Sequence, residues 1–180
     1  MVKNGIELIE KEIGNVVEIE ENTYVWQMPS VMSRNFERLA DYADAGCSEE
    51  SGFSPYARYV GFDWEQELSK GMIDNILSMF IKKWHYFTGF PTQQKLDDAD
   101  AIKANRIEKR RYVKACHFGP YHKVGSTYRK MFEWAKKQKI VLGNESIEFY
   151  RNDPAEVEKE KIETMVLIPV IEEHRRKEPS

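Results

Sequence analysis

The chain has 180 residues, with 27 basic against 30 acidic side chains, a formal charge of −3 and a pI near 5.9. That length fits one domain or two small fused modules and buries a core without disulfide or metal staples. The near-neutral balance supplies no long-range field for nucleic acid or an anionic membrane, so direct binding to either is not expected.

In chain order, "NVVEIEENTYVWQM" (15–28) carries Val17, Ile19, Tyr24 and Trp26 at period two, broken by a polar "EEN", and predicts a strand or hairpin ended by Pro29 and Ser30. Ser30 is a candidate cap for a helix whose stripe is Val31, Phe36, Leu39, Ala40 and Ala43, with Gly46 as the stop. "YARYVGFDW" (56–64) has strand composition. Leu68, Met72, Ile73, Ile76, Leu77 and Phe80 then keep helical spacing over 66–83, and "WHYFTGFPT" (84–92) is a third strand ended by Pro91.

The polar "TQQKLDDADAIKANR" (92–106) has no strong period and predicts the junction between two halves. Its Asp97, Asp98 and Asp100 lack the glycine and distant glutamate of a calcium loop, so they predict a solvated helix start, not a metal site. Beyond it, "RIEKRRYVKACHFG" (106–119) predicts a strand. Pro120 opens a helix with Val124, Tyr128, Met131, Phe132 and Ala135 on one face, and "SIEFYRND" and "ETMVLIPV" predict two more strands. Both halves therefore read strand, helix, strand, strand, with one inserted helix in the first. The fold class expected is α+β, a duplication and not a parallel sheet.

Twelve per cent of the residues are aromatic: four Trp, nine Tyr and nine Phe. Such rings fill cores and also line ligand pockets. On the strand "IEFYRND", side chains at i and i+2 share a face, so Glu148 and Tyr150 point together while Ile147 and Phe149 point the other way. If that face is partly desolvated, the carboxylate either rises in pKa or demands a cation; on a solvated face it does neither. A cationic or flat ligand needs rings nearby. Trp26, Tyr59, Trp84, Tyr86, Tyr112 and Tyr121 are the candidates, each also able to serve as core.

Cys47 and Cys116 match neither a disulfide framework nor a paired metal-ligand spacing, which predicts a reducing compartment, the cytoplasm. His117 and His122 with Cys116 lack the spacing and the second cluster of a zinc site, so no metal and no cofactor is expected; His117 is a candidate proton carrier. The charged start and the lack of any apolar run near the roughly 20 residues of a membrane span predict neither export nor anchoring. No phosphate-cradling loop, dinucleotide fingerprint, nucleophile elbow or helix-turn-helix is present.

Gly119-Pro120-Tyr121, then Glu148, Tyr150, Asp153 and Pro154, and finally Ile168-Pro169-Val170 follow one another in the last 60 or so residues. This series resembles the GyrI-like, AraC-type effector-binding superfamily. The resemblance implies duplicated strand-helix-strand-strand modules with pseudo-twofold symmetry, about 1–95 and 104–172 within a single 1–180 domain, whose antiparallel sheets form a groove. It implies a freestanding protein that binds hydrophobic, cationic or planar compounds among aromatic rings, with Glu148 as the central charge and Tyr150 and Tyr121 matching the family motif, for drug or effector sensing or sequestration; Trp26, Tyr59, Trp84, Tyr86 and Tyr112 are the further ring candidates for that groove. Two alternatives come with the family: hydrolysis of strained cyclopropane-bearing electrophiles, with Glu148 as the acid, and a protein-interaction module such as a gyrase inhibitor or transcription co-regulator, with a protein partner or a second copy of the chain docking. The inserted helix, with Met72, Met79 and Phe80, departs from the family pattern.

Overall fold

A computed structural model describes residues 5–43, 54–61 and 82–171. The expected helix over 66–83 (but for its last two residues), Gly46, Cys47, the end of the second predicted strand and the tail after Ile171 lie outside the described residues. The elements in chain order are β1 (Glu7–Lys11), β2 (Gly14–Tyr24), α1 (Met28–Ala43), β3 (Tyr56–Val60), β4 (Lys83–Pro91), β5 (Ile102–Ile107), β6 (Arg110–Phe118), α2 (Gly125–Gln138), β7 (Glu145–Tyr150) and β8 (Glu163–Pro169).

Local chemistry explains where these elements start and stop, and where they depart from expectation. The period-two run of β2 ends at Tyr24, and Trp26 falls in a 3-10 turn over Val25–Gln27. α1 begins at Met28, ahead of Ser30, so Ser30 is not its cap; its hydroxyl donates back to the Gln27 carbonyl at 2.9 Å. Pro29 sits in the first turn, where a missing N–H costs nothing. Pro120 opens a 3-10 turn, Tyr121–Lys123, and α2 follows from Gly125. α2 ends at Lys139 in the left-handed region (φ 57°), with the Lys139 and Ile140 N–H groups donating to the Lys136 and Ala135 carbonyls.

β1 and β5 are strands the hydrophobic pattern does not announce, because they edge the sheet and carry charge where an inner strand alternates. β5 replaces the featureless junction, and Glu108 and Lys109 divide the single strand expected over 106–119 into β5 and β6. Asp98 starts no helix: its Oδ1 accepts from the Ala104 N–H at 2.9 Å and its Oδ2 from Lys103 Nζ at 3.0 Å, tying down the turn that leads into β5.

The eight strands among the described residues form one antiparallel sheet in the order β1-β6-β8-β7-β3-β4-β2-β5. The order is palindromic about the β7–β3 pair: each half contributes its first, third and second strands from the outside in, with one extra edge strand. This is the duplicated, pseudo-twofold α+β arrangement, built as a single sheet. Laid flat, β1 and β2 would stand six strand spacings apart, about 29 Å. Yet only Glu12 and Ile13 join them, a reach of at most about 11 Å. The equally short link from β5 to β6 imposes the same condition at the other edge, so the sheet must curl until its ends meet. Arg106 with Glu12, and Lys109 Nζ with Glu10 Oε2 at 2.5 Å, pair across that meeting.

Curling divides the side chains into two sets. The inner face gathers Ile13, Val16, Tyr56, Ile107, Tyr112, Ile147, Phe149 and Leu167 into one buried cluster. The outer face carries the helices, α1 over Val17, Ile19 and Ile102 and α2 over Val113, Ala115, Val166 and Ile168. Among the described residues no helix is long and apolar enough to cross a membrane.

One charged group is enclosed on the inner face. Glu18 accepts from Arg58 Nε and Nη2 at 2.9 and 2.8 Å and from the Tyr56 hydroxyl at 3.0 Å, while the Arg58 guanidinium lies 4.1 Å from the Phe87 ring centre. Removing one partner of an enclosed ion pair leaves the other uncompensated. Arg58→Met is therefore expected to lower unfolding free energy by about 3–5 kcal/mol, measured by urea denaturation; a loss below about 1 kcal/mol would show that Glu18 finds another partner.

Candidate functional site

β7 gives its two faces to different parts of the molecule. Ile147 and Phe149 enter the inner cluster, whereas Ser146, Glu148 and Tyr150 face outward into the seam between α1 and α2. Strand register brings the rest of the site to them. Ser146 pairs with Tyr59 of β3, Tyr59 with Tyr86 of β4, and Glu148 with Ala57 of β3.

Glu148 is only 7% exposed. The Tyr128 hydroxyl, projected from α2, donates to Oε1 at 2.8 Å. That phenol has one proton and gives it to the carboxylate, so at 2.9 Å it accepts from Ser146 Oγ. Burial pushes the Glu148 acid from its ordinary 4.5 up to about 7, against the opposing pull of the Tyr128 and Tyr150 hydroxyls, which favour the ionised form. Among the described residues no Lys or Arg side chain pairs with Glu148. The neighbouring phenols respond in turn. Burial first, then the Glu148 charge, holds Tyr59 and Tyr128 well above the usual 10, and Tyr150 is raised by burial, Tyr59 and Glu148, so all three stay neutral donors. Tyr128→Phe removes a donor to the ionised carboxylate, and the midpoint of any Glu148-dependent pH profile is expected to move alkaline by about one unit.

Aromatic rings frame this acid. Tyr59 meets Tyr86 and Trp84 at 6.0 Å, and its hydroxyl lies 3.5 Å from that of Tyr150. The Tyr150 ring touches Phe36 of α1 at 5.9 Å and Tyr121 at 5.5 Å, both edge-on. Of the rings singled out by sequence, Tyr59, Trp84, Tyr86 and Tyr150 thus gather on the outer face, with Tyr121, 39% exposed, at the rim. Trp26 is 58% exposed and stacks on Tyr24 at 6.2 Å. Tyr112 is not on this face. In β6 it is Val113, Ala115 and His117 that point toward α2, so Tyr112 points inward and packs with Tyr56 and Phe149.

Tyr128 and Ser146 were not among the candidates. Tyr128 reads as one more apolar residue on the α2 stripe; the available signal is a phenol placed mid-stripe on a helix that covers a strand bearing an acid. His117 is enclosed, with Nδ1 2.9 Å from Thr127 Oγ1 and Nε2 3.3 Å from the Pro120 carbonyl, and so pins the end of β6 to the start of α2. Cys116 faces the other way, and burial raises its thiol above the ordinary value, which weakens it as a nucleophile. Among the described residues no three His, Cys, Asp or Glu side chains are grouped to hold a metal ion.

Three solved proteins share this arrangement at low identity. The C-terminal domain of EcmrR matches with a TM-score of 0.74 and 14% identity over 94% of this chain and 99% of that one. In the complex of EcmrR with DNA the match spans 57% of that chain, at TM-score 0.70 and 15% identity over 91% of this chain. A hydrolase encoded by lin2189 from Listeria innocua matches at 0.56 and 14% identity over 94% of both chains. SAV2435 bound to tetraphenylphosphonium matches at 0.59 and 12% identity over 92% of this chain and 94% of that one. Identities this low carry the fold and not the activity. No curated protein sequence matches the chain. The sequence model described as the GyrI-like small molecule binding domain matches residues 73–171, more than half of the chain. With the palindromic curled sheet, this establishes that the chain belongs to the GyrI-like family of small-molecule-binding domains.

Proposed function

We propose that this protein binds hydrophobic cationic or planar small molecules over Glu148, in the seam between α1 and α2, and acts by sensing or sequestering them. The observation that carries this reading is the state of Glu148: enclosed, hydrogen-bonded to phenols and next to Tyr59 and Tyr150, with Tyr86 and Trp84 packed beyond Tyr59. A bare carboxylate in such a place is costly, and a ligand that brings a diffuse positive charge and an apolar surface relieves that cost while gaining cation–π contact. Tyr121, at the rim, is placed to meet the ligand as it enters. The tetraphenylphosphonium held by SAV2435, a protein of the same fold, is a ligand of this chemical class.

The test is isothermal titration of tetraphenylphosphonium and the neutral triphenylphosphine oxide into wild type and Glu148→Gln. Selectivity for the cation that falls about tenfold or more with Glu148→Gln supports the reading; equal affinity for both compounds, or none, ends it.

A second reading rests on the same acid poised near neutrality beside phenol donors. Glu148 would protonate, or direct water onto, a strained cyclopropane-bearing electrophile, with Tyr150 or Tyr121 orienting it. Product seen by mass spectrometry with wild type and lost with Glu148→Gln supports turnover, and intact compound with both proteins excludes it for that substrate.

A further inference from the structure

The outer face holds a second polar group at the far end of the tyrosine row. In register, Ser146, Tyr59, Tyr86 and Glu21 stand side by side on β7, β3, β4 and β2. Three strand spacings separate the two ends, about 14 Å. Above Glu21 lies Asn35 of α1, which is 0% exposed. Its Nδ2 donates to Glu21 Oε1 at 3.0 Å, which fixes the orientation of the amide and turns its Oδ1 away. Among the described residues that enclosed oxygen has no hydrogen-bond partner. This end of the row thus holds two acceptors, the Glu21 carboxylate and the Asn35 carbonyl, and the second has no donor.

We propose that Glu21 and Asn35 form a second binding end that takes an N–H-bearing cationic group, and that the ligand is a flat, two-ended cation lying along Tyr59 and Tyr86 with its other end over Glu148. This rests on the reading of Glu148 given above. Tyr59 and Tyr86, 6.0 Å apart with planes tilted by 37°, lie between the ends, and Met28 and Met32 of α1, packed over the same rings, have the unbranched side chains that yield most readily to a planar guest. A compound with a single charge satisfies one end only, so the site favours amidinium or ammonium groups at both ends of a rigid frame over a single quaternary centre.

Fluorescence titration with diamidinophenylindole, a flat bis-amidine, and with its mono-amidine analogue tests this in wild type, Glu21→Gln and Glu148→Gln, with thermal melting to confirm that each variant folds. Wild type is expected to bind the bis-amidine about tenfold more tightly than the mono-amidine. Glu21→Gln removes that difference and leaves mono-amidine affinity unchanged, whereas Glu148→Gln weakens both. A wild type with no preference, or a Glu21→Gln protein that loses both probes equally, overturns the second end while leaving the Glu148 reading in place. Failure of both probes to bind wild type also overturns the second end, and the tetraphenylphosphonium titration then decides the Glu148 reading by itself.

Discussion

At pH 8 the Glu148→Gln protein is expected to be more stable than wild type by roughly 3 kcal/mol, a rise in Tm on the order of 5–10 °C for a chain of this size. The sign follows from proton linkage. The folded protein holds the Glu148 proton up to about pH 7, whereas the ordinary acid releases it near 4.5. The folded state thus binds the extra proton across that window, so the contribution is fully present below about 4.5 and is lost as pH rises through about 7. Glutamine keeps the shape and does not titrate, so the two proteins should converge at pH 4.5 and separate as pH rises. Thermal or urea unfolding at pH 4.5, 6 and 8 measures the gap, and a constant difference would place the carboxylate in water. Cation binding should run in the opposite direction. With an acid near pH 7, the ionised fraction rises about tenfold between pH 6 and 8, and wild-type affinity for a lipophilic cation should rise with it while Glu148→Gln stays flat. One side chain then lowers stability and raises affinity over the same interval, as expected of a site built for a ligand and not for the fold.

Gly89→Ala is expected to damage the fold as much as Arg58→Met. The Tyr56 ring crosses β4 at Gly89 on its way to Glu18, and a Cβ placed there would meet Tyr56 Cζ at 2.3 Å and its hydroxyl oxygen at 2.5 Å. Tyr56 is fully buried in the inner cluster, with Phe149 at 5.3 Å, so it cannot step aside without leaving Glu18 without one of its donors. Overpacking and the lost hydrogen bond together are expected to cost about 3–5 kcal/mol. The double variant Gly89→Ala, Tyr56→Phe separates the two causes. Phenylalanine lacks the hydroxyl but keeps the ring carbon nearest the new methyl, so it should recover little if the overlap dominates. A single variant that unfolds at the wild-type urea midpoint would show that β4 shifts to make room.

The sequence by itself determined whatever depends on neighbours along the chain. Alternation on β7 puts Glu148 and Tyr150 on one face and Ile147 and Phe149 on the other, and the apolar stripes of α1 and α2 mark the sides they bury, except that Ala40 is exposed and Asn35 is buried on α1. These patterns hold because strand and helix periods are local geometry. Element order likewise carried the duplication, which the palindromic sheet repeats. Tertiary structure decided which face each strand would give to the site. Tyr59 and Tyr112 are both tyrosines on strands and equally eligible by pattern. Register and the curl of the sheet send one toward Glu148 and the other into the closed interior. The same holds for Tyr128, which meets Glu148 only because α2 folds back over β7, and for the Glu18–Arg58–Tyr56 group, whose members lie some 40 residues apart in the chain. β1 and β5, charged edges without a clear alternation, acquire their identity from the strands they join. Pairing between distant segments is set by the free energy of closing the whole sheet, to which no single stretch of residues holds the key.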